Sequence, residues 1–178
     1  MDQEKRHLYL AGFRGTGKST LARRLSQRLE LPWVDLDAQI QLSAGQTIDQ
    51  IFSSAGEPGF RDLEEATLSD VSAQSQQIIA LGGGAILREA NRLVIARTGL
   101  CVRLLASAEA IHQRIQTDEA SSTQRPPLTD LSALDEVRKL LEVRRPLYEQ
   151  VSQYDVDTEQ HSLDELTELV ATWWHEQE

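Results

Sequence analysis

Gly12-Phe13-Arg14-Gly15-Thr16-Gly17-Lys18-Ser19 matches the phosphate-binding loop pattern G-x-x-x-x-G-K-[ST]. The apolar segment 8–11 precedes this loop and indicates a short strand. Apolar residues three and four apart follow it in 18–29 and predict a helix. Between a strand and a helix, the backbone N–H groups of such a loop and the N-terminus of the helix point at a phosphate. The stretch therefore predicts a site for a nucleoside triphosphate.

Two residues at the end of the loop have specific predicted tasks. Lys18 can reach the β- and γ-phosphates, and the hydroxyl of Ser19 can ligate Mg²⁺. A glycine-rich turn that only closes a strand–helix unit would explain the glycines, but not Lys18 and Ser19 together. Arg14 is not required by the pattern, and either adds charge near the phosphates or faces solvent. The ATP-binding residues predicted in this region are Gly12, Arg14, Gly15, Thr16, Gly17, Lys18, Ser19 and Thr20.

Length and composition restrict the class of protein. A chain of 178 residues suits one domain with a sizeable core, and we expect a single domain over 1–178. Its formal net charge of −10 argues against nucleic-acid and anionic-membrane partners. The N-terminus lacks the apolar run of a signal peptide, and no apolar run is long enough to span a bilayer. Cys101 is the one cysteine and cannot form an internal disulfide, so we expect a reducing cytoplasm.

Strand and helix patterns alternate along the chain. This alternation predicts an α/β fold with a parallel five-stranded central sheet flanked by helices. Capping boxes at 47–50 and 162–165 mark two helix starts, and Gly99 suits a helix C-cap. The predicted strands are 7–11, 32–35, 77–81, 100–105 and 153–156. The predicted helices are 18–29, 37–44, 48–55, 57–75, 88–97, 108–116, 132–150 and 163–175.

Carboxylates and glycines follow the second and third predicted strands. Ligands bind beyond the carboxyl ends of the strands in such a sheet, so these residues should meet at the phosphate loop. Asp35 could hold Mg²⁺ through a water. Asp37 could accept the proton of an acceptor hydroxyl or orient it, or it could simply cap the next helix. Gly82, Gly83 and Gly84 indicate either a close approach of a ligand to the backbone or a flexible turn.

With these segments, nearly the whole chain resembles the shikimate kinases. Besides the phosphate loop, the sequence has the Asp-x-Asp at 35–37 and a G-E-x-x-F-R-x-x-E segment at 56–64. It also has the G-G-G motif at 82–84, an Arg-Pro-Pro-Leu lid segment at 125–128 and an R-x-x-L-Y stretch, here Arg144-Arg145-Pro146-Leu147-Tyr148. Several motifs in the right order make the resemblance specific. It implies a P-loop kinase with a mobile lid, here about 117–130, and a substrate-binding helical segment at about 37–65.

The resemblance also implies a reaction and a role for each site residue. ATP would phosphorylate the 3-hydroxyl of shikimate with Mg²⁺, a step of aromatic amino acid and chorismate biosynthesis. Arg61 and Arg144 would bind the substrate carboxylate, and Asp37 its hydroxyls. The lid residue Arg125 would neutralise charge on the transferring phosphoryl group. Arg114 resembles the position that stacks on adenine, although an exposed helix residue is an equally good interpretation. The implied substrate-binding residues are Asp37, Arg61, Gly82, Gly83, Gly84 and Arg144, and Gly83 would donate its N–H.

Other functions stay open at this point. A gluconate kinase has a related fold, but the Phe60-Arg61 pair and the glycine motif argue against it. A nucleoside monophosphate kinase would need a base-binding site, for which there is no clear sequence signal. A regulatory module that only binds nucleotide would be expected to have lost a motif position, and none is visibly broken. Leu36, between the two aspartates, departs from the family, and its side chain is expected to point away from the site on a strand-like segment. The chain is expected to be a monomer.

Overall fold

The structure, a computed structural model, describes residues 6–117 and 132–177. Its strands are β1 (His7–Ala11), β2 (Trp33–Asp35), β3 (Ile78–Ala80), β4 (Gly99–Leu105) and β5 (Tyr154–Asp157). Its helices are α1 (Lys18–Leu29), α2 (Leu36–Ala44), α3 (Ile48–Ser72), α4 (Glu89–Thr98), α5 (Ala108–Thr117), α6 (Ala133–Val151) and α7 (Leu163–His175). A 3₁₀ turn, Ala85–Leu87, precedes α4.

The five strands form one parallel sheet in the order β2-β3-β1-β4-β5. The predicted fold class and all five predicted strands are confirmed, with ends that differ by at most one residue. Strand β1 lies in the centre, so the phosphate loop that follows it emerges between the ends of β3 and β4. The Asp-x-Asp segment follows β2 and the glycine motif follows β3. Three segments of the candidate site therefore lie at one edge of the sheet because the strands run parallel.

The sheet is buried on both faces, which explains the continuous apolar run of β1. Successive side chains of a strand point to opposite faces. Leu8 and Leu10 accordingly pack with α1 and α7 residues such as Leu25 and Trp174. Tyr9 and Ala11 pack in a second cluster with residues of α2, α3 and α4. The second cluster is the base on which the substrate-binding helical segment rests.

Gly99 is the C-cap of α4, as predicted, and its N–H donates to Ile95 O. Its extended backbone also pairs with His7 as the first residue of β4. Two expectations about local structure need correction. The helices predicted at 48–55 and 57–75 form one span that ends at Ser72 and is interrupted at Gly56, whose φ of 67° and ψ of −174° are not helical. Leu36 is not strand-like. It begins α2, and its side chain is fully buried in the core.

Both predicted capping boxes are present. Thr47 accepts a hydrogen bond from the N–H of Gln50, whose side chain accepts one from the N–H of Thr47. Ser162 and Glu165 make the same reciprocal pair at the start of α7. Each pair satisfies backbone donors that a helix start leaves without partners, so the starts of α3 and α7 are fixed locally.

Candidate active site

The phosphate loop follows β1 and has the backbone shape that its glycines permit. Gly12, Gly15 and Gly17 have φ values of 146°, 79° and 94°, which favour glycine. A Cβ on Gly12 would also lie 2.8 Å from both Leu104 O and Thr16 Oγ1. The Thr16 hydroxyl donates to Phe13 O at 2.7 Å and closes the loop from inside. The predicted ATP-binding residues thus form one continuous turn that leads into α1.

Lys18 lies buried across this turn. Its Nζ donates hydrogen bonds to the carbonyl oxygens of Gly12 and Phe13, each at 2.9 Å. The ammonium group is therefore held at the loop by the loop's own backbone. Gly17, Ser19 and Thr20 are exposed at the start of α1, where the helix N-terminus presents its N–H groups. Positive charge and exposed donors together make this turn suited to an anionic phosphate group.

Ser19 and Asp35 meet at the end of β2. The hydroxyl of Ser19 donates to Asp35 Oδ2, while Asp35 Oδ1 accepts from the N–H of Ala38 at 3.1 Å. Asp35 is thus the N-cap of α2, and the suggestion that Asp37 caps this helix is wrong. A hydroxyl beside a carboxylate provides the hard oxygen ligands that Mg²⁺ prefers. Within residues 6–117 and 132–177, no cluster of three or more His, Cys, Asp or Glu side chains could hold a metal.

Asp37 lies in the first turn of α2 and faces the glycine motif. A Cβ on Gly82 would lie 2.7 Å from Asp37 Oδ1 and 2.8 Å from Glu64 Oε1. Only glycine can therefore occupy position 82 without displacing one of the two carboxylates. Glu64 is fully buried, whereas Asp37 is only partly buried. At Gly82 the groups that approach the backbone closely are a carboxylate from α2 and one from α3. The close approach of a ligand to the glycines stays a prediction.

Arg61 links Glu64 and Glu57 to the end of the glycine motif. Its Nη1 donates to Glu64 at 2.7 Å, and its Nη2 and Nε donate to Glu57 at 3.1 and 3.3 Å. Burial lowers the pKa of Arg61, but the charges and hydrogen bonds of Glu64 and Glu57 outweigh burial and raise the pKa. The guanidinium lies over the Phe60 ring at 5.2 Å and directly against Gly84, where any Cβ would collide with it. Arg61 is thus a buried, permanently charged group with a fixed direction.

Arg144 approaches the same motif from helix α6. Its Nη1 donates to Gly83 O at 3.2 Å, and its guanidinium lies 5.4 Å above the Phe13 ring of the phosphate loop. Tyr148, one turn later, donates to the same carbonyl oxygen at 2.6 Å. The two arginines come from distant parts of the chain, and both reach the glycine motif. The structure therefore brings together Asp37, Arg61, Gly82, Gly83, Gly84 and Arg144, all six residues predicted to bind the acceptor.

Arg114 lies on the other side of the phosphate loop. Its Nη1 donates to Thr158 Oγ1 at 2.9 Å and to Gly15 O at 3.4 Å, and its Nη2 donates to Thr158 O at 3.3 Å. This arginine is therefore not a solvated helix residue, and it joins α5 to the segment after β5. The predicted lid residue Arg125 and nearly all of the predicted lid lie outside the described residues.

Two site residues were missed in the sequence. Asn91 is buried and donates from Nδ2 to Ala85 O at 2.9 Å. Arg92 donates from Nη1 to Ile86 O at 2.8 Å and to Leu87 O at 3.0 Å. Both side chains come from the first turn of α4 and hold successive carbonyls of the turn after the glycine motif. The sequence signal was a pair of polar residues in the first turn of the helix that follows the glycines.

Comparison with known proteins identifies relatives of this chain. The family model described as "Shikimate kinase" matches residues 14–173. A shikimate kinase of Rhodopirellula baltica is 50% identical over 165 residues, which cover 92% of this chain and 88% of that protein. A shikimate kinase of Pseudomonas fluorescens is 39% identical over 155 residues, which cover 87% of this chain and 88% of that protein. The solved shikimate kinase of Acinetobacter baumannii in complex with shikimate superposes with a TM-score of 0.89 at 31% identity, covering 97% of this chain and 94% of that one.

Proposed function

The chain belongs to the shikimate kinase family, and we propose that it transfers the γ-phosphoryl group of ATP to the 3-hydroxyl of shikimate. The products are shikimate 3-phosphate and ADP. The observation that carries this proposal is the convergence of Arg61, Arg144 and Asp37 on the glycine motif beside the phosphate loop. A carboxylate-bearing polyol presents the complementary groups, because its carboxylate fits guanidinium donors and its hydroxyls fit a carboxylate.

The arginines bind the substrate carboxylate in this proposal. Both guanidinium groups are buried, and Glu57 and Glu64 fix the direction of Arg61. A buried guanidinium whose orientation is set in advance loses little entropy when it binds a planar carboxylate. The N–H of Gly83 is assigned as a further donor by resemblance to the family. Arg144 and Tyr148 hold the peptide that follows it through Gly83 O.

Asp37 acts on the attacked hydroxyl. Its carboxylate accepts a hydrogen bond from that hydroxyl, orients it toward the γ-phosphate and takes up its proton as the oxygen–phosphorus bond forms. Its position beside Gly82 supports this role, since Glu64 is held by Arg61 and Asp35 caps helix α2. Asp37 lies against Gly82, where a Cβ would come within 2.7 Å of its Oδ1, so its carboxylate borders the segment that binds the acceptor.

The phosphate side rests on Lys18, Ser19 and Asp35. Phosphoryl transfer is mostly positioning and stabilisation of charge, which a buried ammonium group and the helix N-terminus supply. Ser19 and Asp35 would hold Mg²⁺, which when bound neutralises charge on the β- and γ-phosphates. Losing one preorganised charge of this kind typically costs ~3 kcal/mol of transition-state stabilisation. We assign Arg125 to the γ-phosphate and Arg114 to the adenine side by resemblance to the family.

A coupled assay of ADP release tests the proposed reaction. Purified protein with ATP and Mg²⁺ is given shikimate, gluconate, AMP or no acceptor in parallel. Shikimate alone is expected to raise ADP release above background, and product analysis should find shikimate 3-phosphate. Turnover with gluconate or AMP but not shikimate would replace the assigned acceptor. No turnover from folded protein that still binds ATP would favour a module that only binds nucleotide.

Two further predictions accompany this function. We expect a monomer in solution and a cytoplasmic location. Cys101 is buried and free, which suits a reducing compartment. No helix in the described part of the chain is long and apolar enough to cross a membrane.

A further inference from the structure

A second cavity lies next to the phosphate loop. It has a volume of about 380 Å³, within the range of small-molecule sites, which is roughly 300–1,000 Å³. Its walls come from the end of β4, helix α5, helix α6 and one side of the phosphate loop. Asp37, Arg61 and Arg144 do not line it, and neither do Lys18 and Ser19. The cavity therefore shares a wall with the phosphate loop, through Gly12 and Thr16, but none of the residues assigned above to shikimate lines it.

The floor of this cavity is apolar. Phe13, Leu104 and Ile111 line it, and all three are buried in the core. Leu105 also lines it and keeps 38% of its surface exposed, although it ends a strand of the central sheet. An exposed leucine beside a recess of this size is apolar surface that an apolar ligand group would remove from water.

Three charged side chains surround this floor, and one of them is already neutralised. Arg103 donates from Nε to Asp155 Oδ1 at 2.9 Å and from Nη2 to Asp155 Oδ2. Its Nη1 lies 3.6 Å from Glu149. This guanidinium is therefore held in a fork by a carboxylate of the neighbouring strand, and we assign no ligand contact to it.

The other two charged residues are Glu142 and Arg145, and Arg145 is already paired with Glu149 through its Nε. Glu142 makes no hydrogen bond or ion pair to any residue in 6–117 or 132–177. Arg145 donates only from Nε, to Glu149 at 2.9 Å, so that its two Nη groups stay open to other acceptors in the described structure. The two residues are three apart on α6, and side chains at that spacing are neighbours on one face of a helix. The rim thus offers one anion and one cation side by side.

We propose that this cavity binds an α-amino acid with a large apolar side chain. The ammonium group of such a ligand would face Glu142, its carboxylate would face Arg145, and its side chain would cover Leu105 and fill the apolar floor. A ligand with only one of these charges would leave a rim residue without its partner. The site does not depend on which substrate the kinase phosphorylates, because no assigned shikimate-binding residue lines it.

Isothermal titration calorimetry on the full chain, with ADP and shikimate present at saturation, tests this site. The probes are L-phenylalanine, 3-phenylpropionate, which lacks the ammonium group, and 2-phenylethylamine, which lacks the carboxylate. Phenylalanine should bind one to one with a Kd of about 1 mM or lower. Each analogue should bind about tenfold more weakly, because it loses one charge-assisted hydrogen bond.

Two variants assign the charges. Glu142→Gln should abolish the preference for phenylalanine over 3-phenylpropionate, because the ammonium group loses its partner. Arg145→Gln should abolish the preference for phenylalanine over 2-phenylethylamine, because the carboxylate loses its partner. Lys139→Gln removes an exposed charge from the same helix outside the cavity and should leave all three affinities unchanged. All three changes are at exposed positions, so thermal unfolding should confirm an intact fold. Absence of saturable phenylalanine binding, or equal affinity for phenylalanine and its two analogues, would each overturn the proposal.

Discussion

The hydroxyl of Tyr148 donates a hydrogen bond to the carbonyl oxygen of Gly83 at 2.6 Å. Arg144, four residues earlier on the same face of α6, donates to the same oxygen at 3.2 Å. A carbonyl oxygen has two lone pairs, so the two donors saturate it. Helix α6 thereby sets the orientation of the glycine motif, although 60 or more residues separate the partners in sequence. The last part of the R-x-x-L-Y stretch is therefore a support for the substrate-binding backbone.

Removing this support should loosen the glycine motif. In Tyr148→Phe the hydroxyl is lost and Gly83 O keeps only Arg144, so the free energy of unfolding should fall by about 1 kcal/mol. The KM for shikimate should rise about fivefold, which corresponds to the same free energy, while the KM for ATP stays unchanged. Tyr154→Phe is the matched control, because the Tyr154 hydroxyl makes no hydrogen bond within the described residues and its ring stacks on Trp173. An unchanged shikimate KM would mean that Arg144 alone holds the loop.

Adding a methyl group at position 82 should damage the site directly. The new Cβ of Gly82→Ala would lie 2.7 Å from Asp37 Oδ1 and 2.8 Å from Glu64 Oε1, so a carboxylate must move. Displacements of this kind cost on the order of a hundredfold in kcat/KM for the acceptor. Gly45→Ala is the control, because it strains a left-handed backbone with no atom within 4 Å and should cost stability only. Equal activity of both variants would remove Asp37 from the reaction site.

Asp37→Asn separates chemistry from nucleotide binding. The amide keeps the shape of the side chain but cannot take up a proton, so kcat should fall about a hundredfold or more. The affinity for ATP, measured by calorimetry without shikimate, should change little. Asp49→Asn, an exposed position in the first turn of α3, should be silent. Wild-type turnover by the Asp37 variant would reduce this residue to a structural one.

The carboxylate clamp is best tested with Arg61→Lys. One ammonium group cannot serve Glu57, Glu64 and a substrate carboxylate at the geometry of a guanidinium. We expect kcat/KM for shikimate to fall by an amount that corresponds to roughly 2–4 kcal/mol of transition-state stabilisation. ATP binding should be preserved. Arg61→Ala is a poorer probe, because it leaves the fully buried Glu64 without its cation and should cost about 3–5 kcal/mol of folding stability.

A shikimate analogue with a hydroxymethyl group in place of the carboxylate tests the same clamp from the ligand side. The wild type should discriminate strongly against it. Arg144→Ala should discriminate less, and combining it with Arg61→Lys should lose less than the sum of the single effects because both arginines share one ligand group. Equal discrimination by wild type and the double variant would mean that the carboxylate binds elsewhere.

Cys101 predicts how stability changes at alkaline pH. Burial raises the pKa of its thiol to about 12, from 9.0. Above pH 9 the unfolded chain therefore releases this proton first, and the free energy of unfolding falls as the pH rises toward 12. Compared with Cys101→Ala, the wild type should lose about 1.4 kcal/mol per pH unit in this window, measured by urea unfolding. Parallel profiles for the two proteins would show that the thiol does not contribute.

Much of the site could be predicted because its chemistry is local in sequence. The phosphate loop, its strand and its helix are contiguous, and the backbone geometry of 12–19 follows from the glycines themselves. The sequence left open whether Asp37 caps α2, because two acidic residues stand at the start of one helix and only the hydrogen bond from the N–H of Ala38 to Asp35 distinguishes them. Gly99 could be predicted as the C-cap of α4, but its pairing with His7 could not, because that partner is remote in sequence.

The sequence by itself determined the parallel α/β fold, the phosphate loop and the set of residue types that recognise an acidic polyol. Hydrophobic periodicity and glycine conformation are properties of short segments, so they can be read without knowing what packs against them. Only the tertiary structure decided that Tyr148 and Arg144 share Gly83 O, that Asn91 and Arg92 hold the turn after the glycines, and that Glu142 and Arg145 border a second cavity. Some of these contacts join a helix to a loop that is remote in the chain. Others depend on how the turn between two neighbouring segments folds. They exist because packing of the core fixes the distances between backbone and side-chain atoms, which no local pattern encodes.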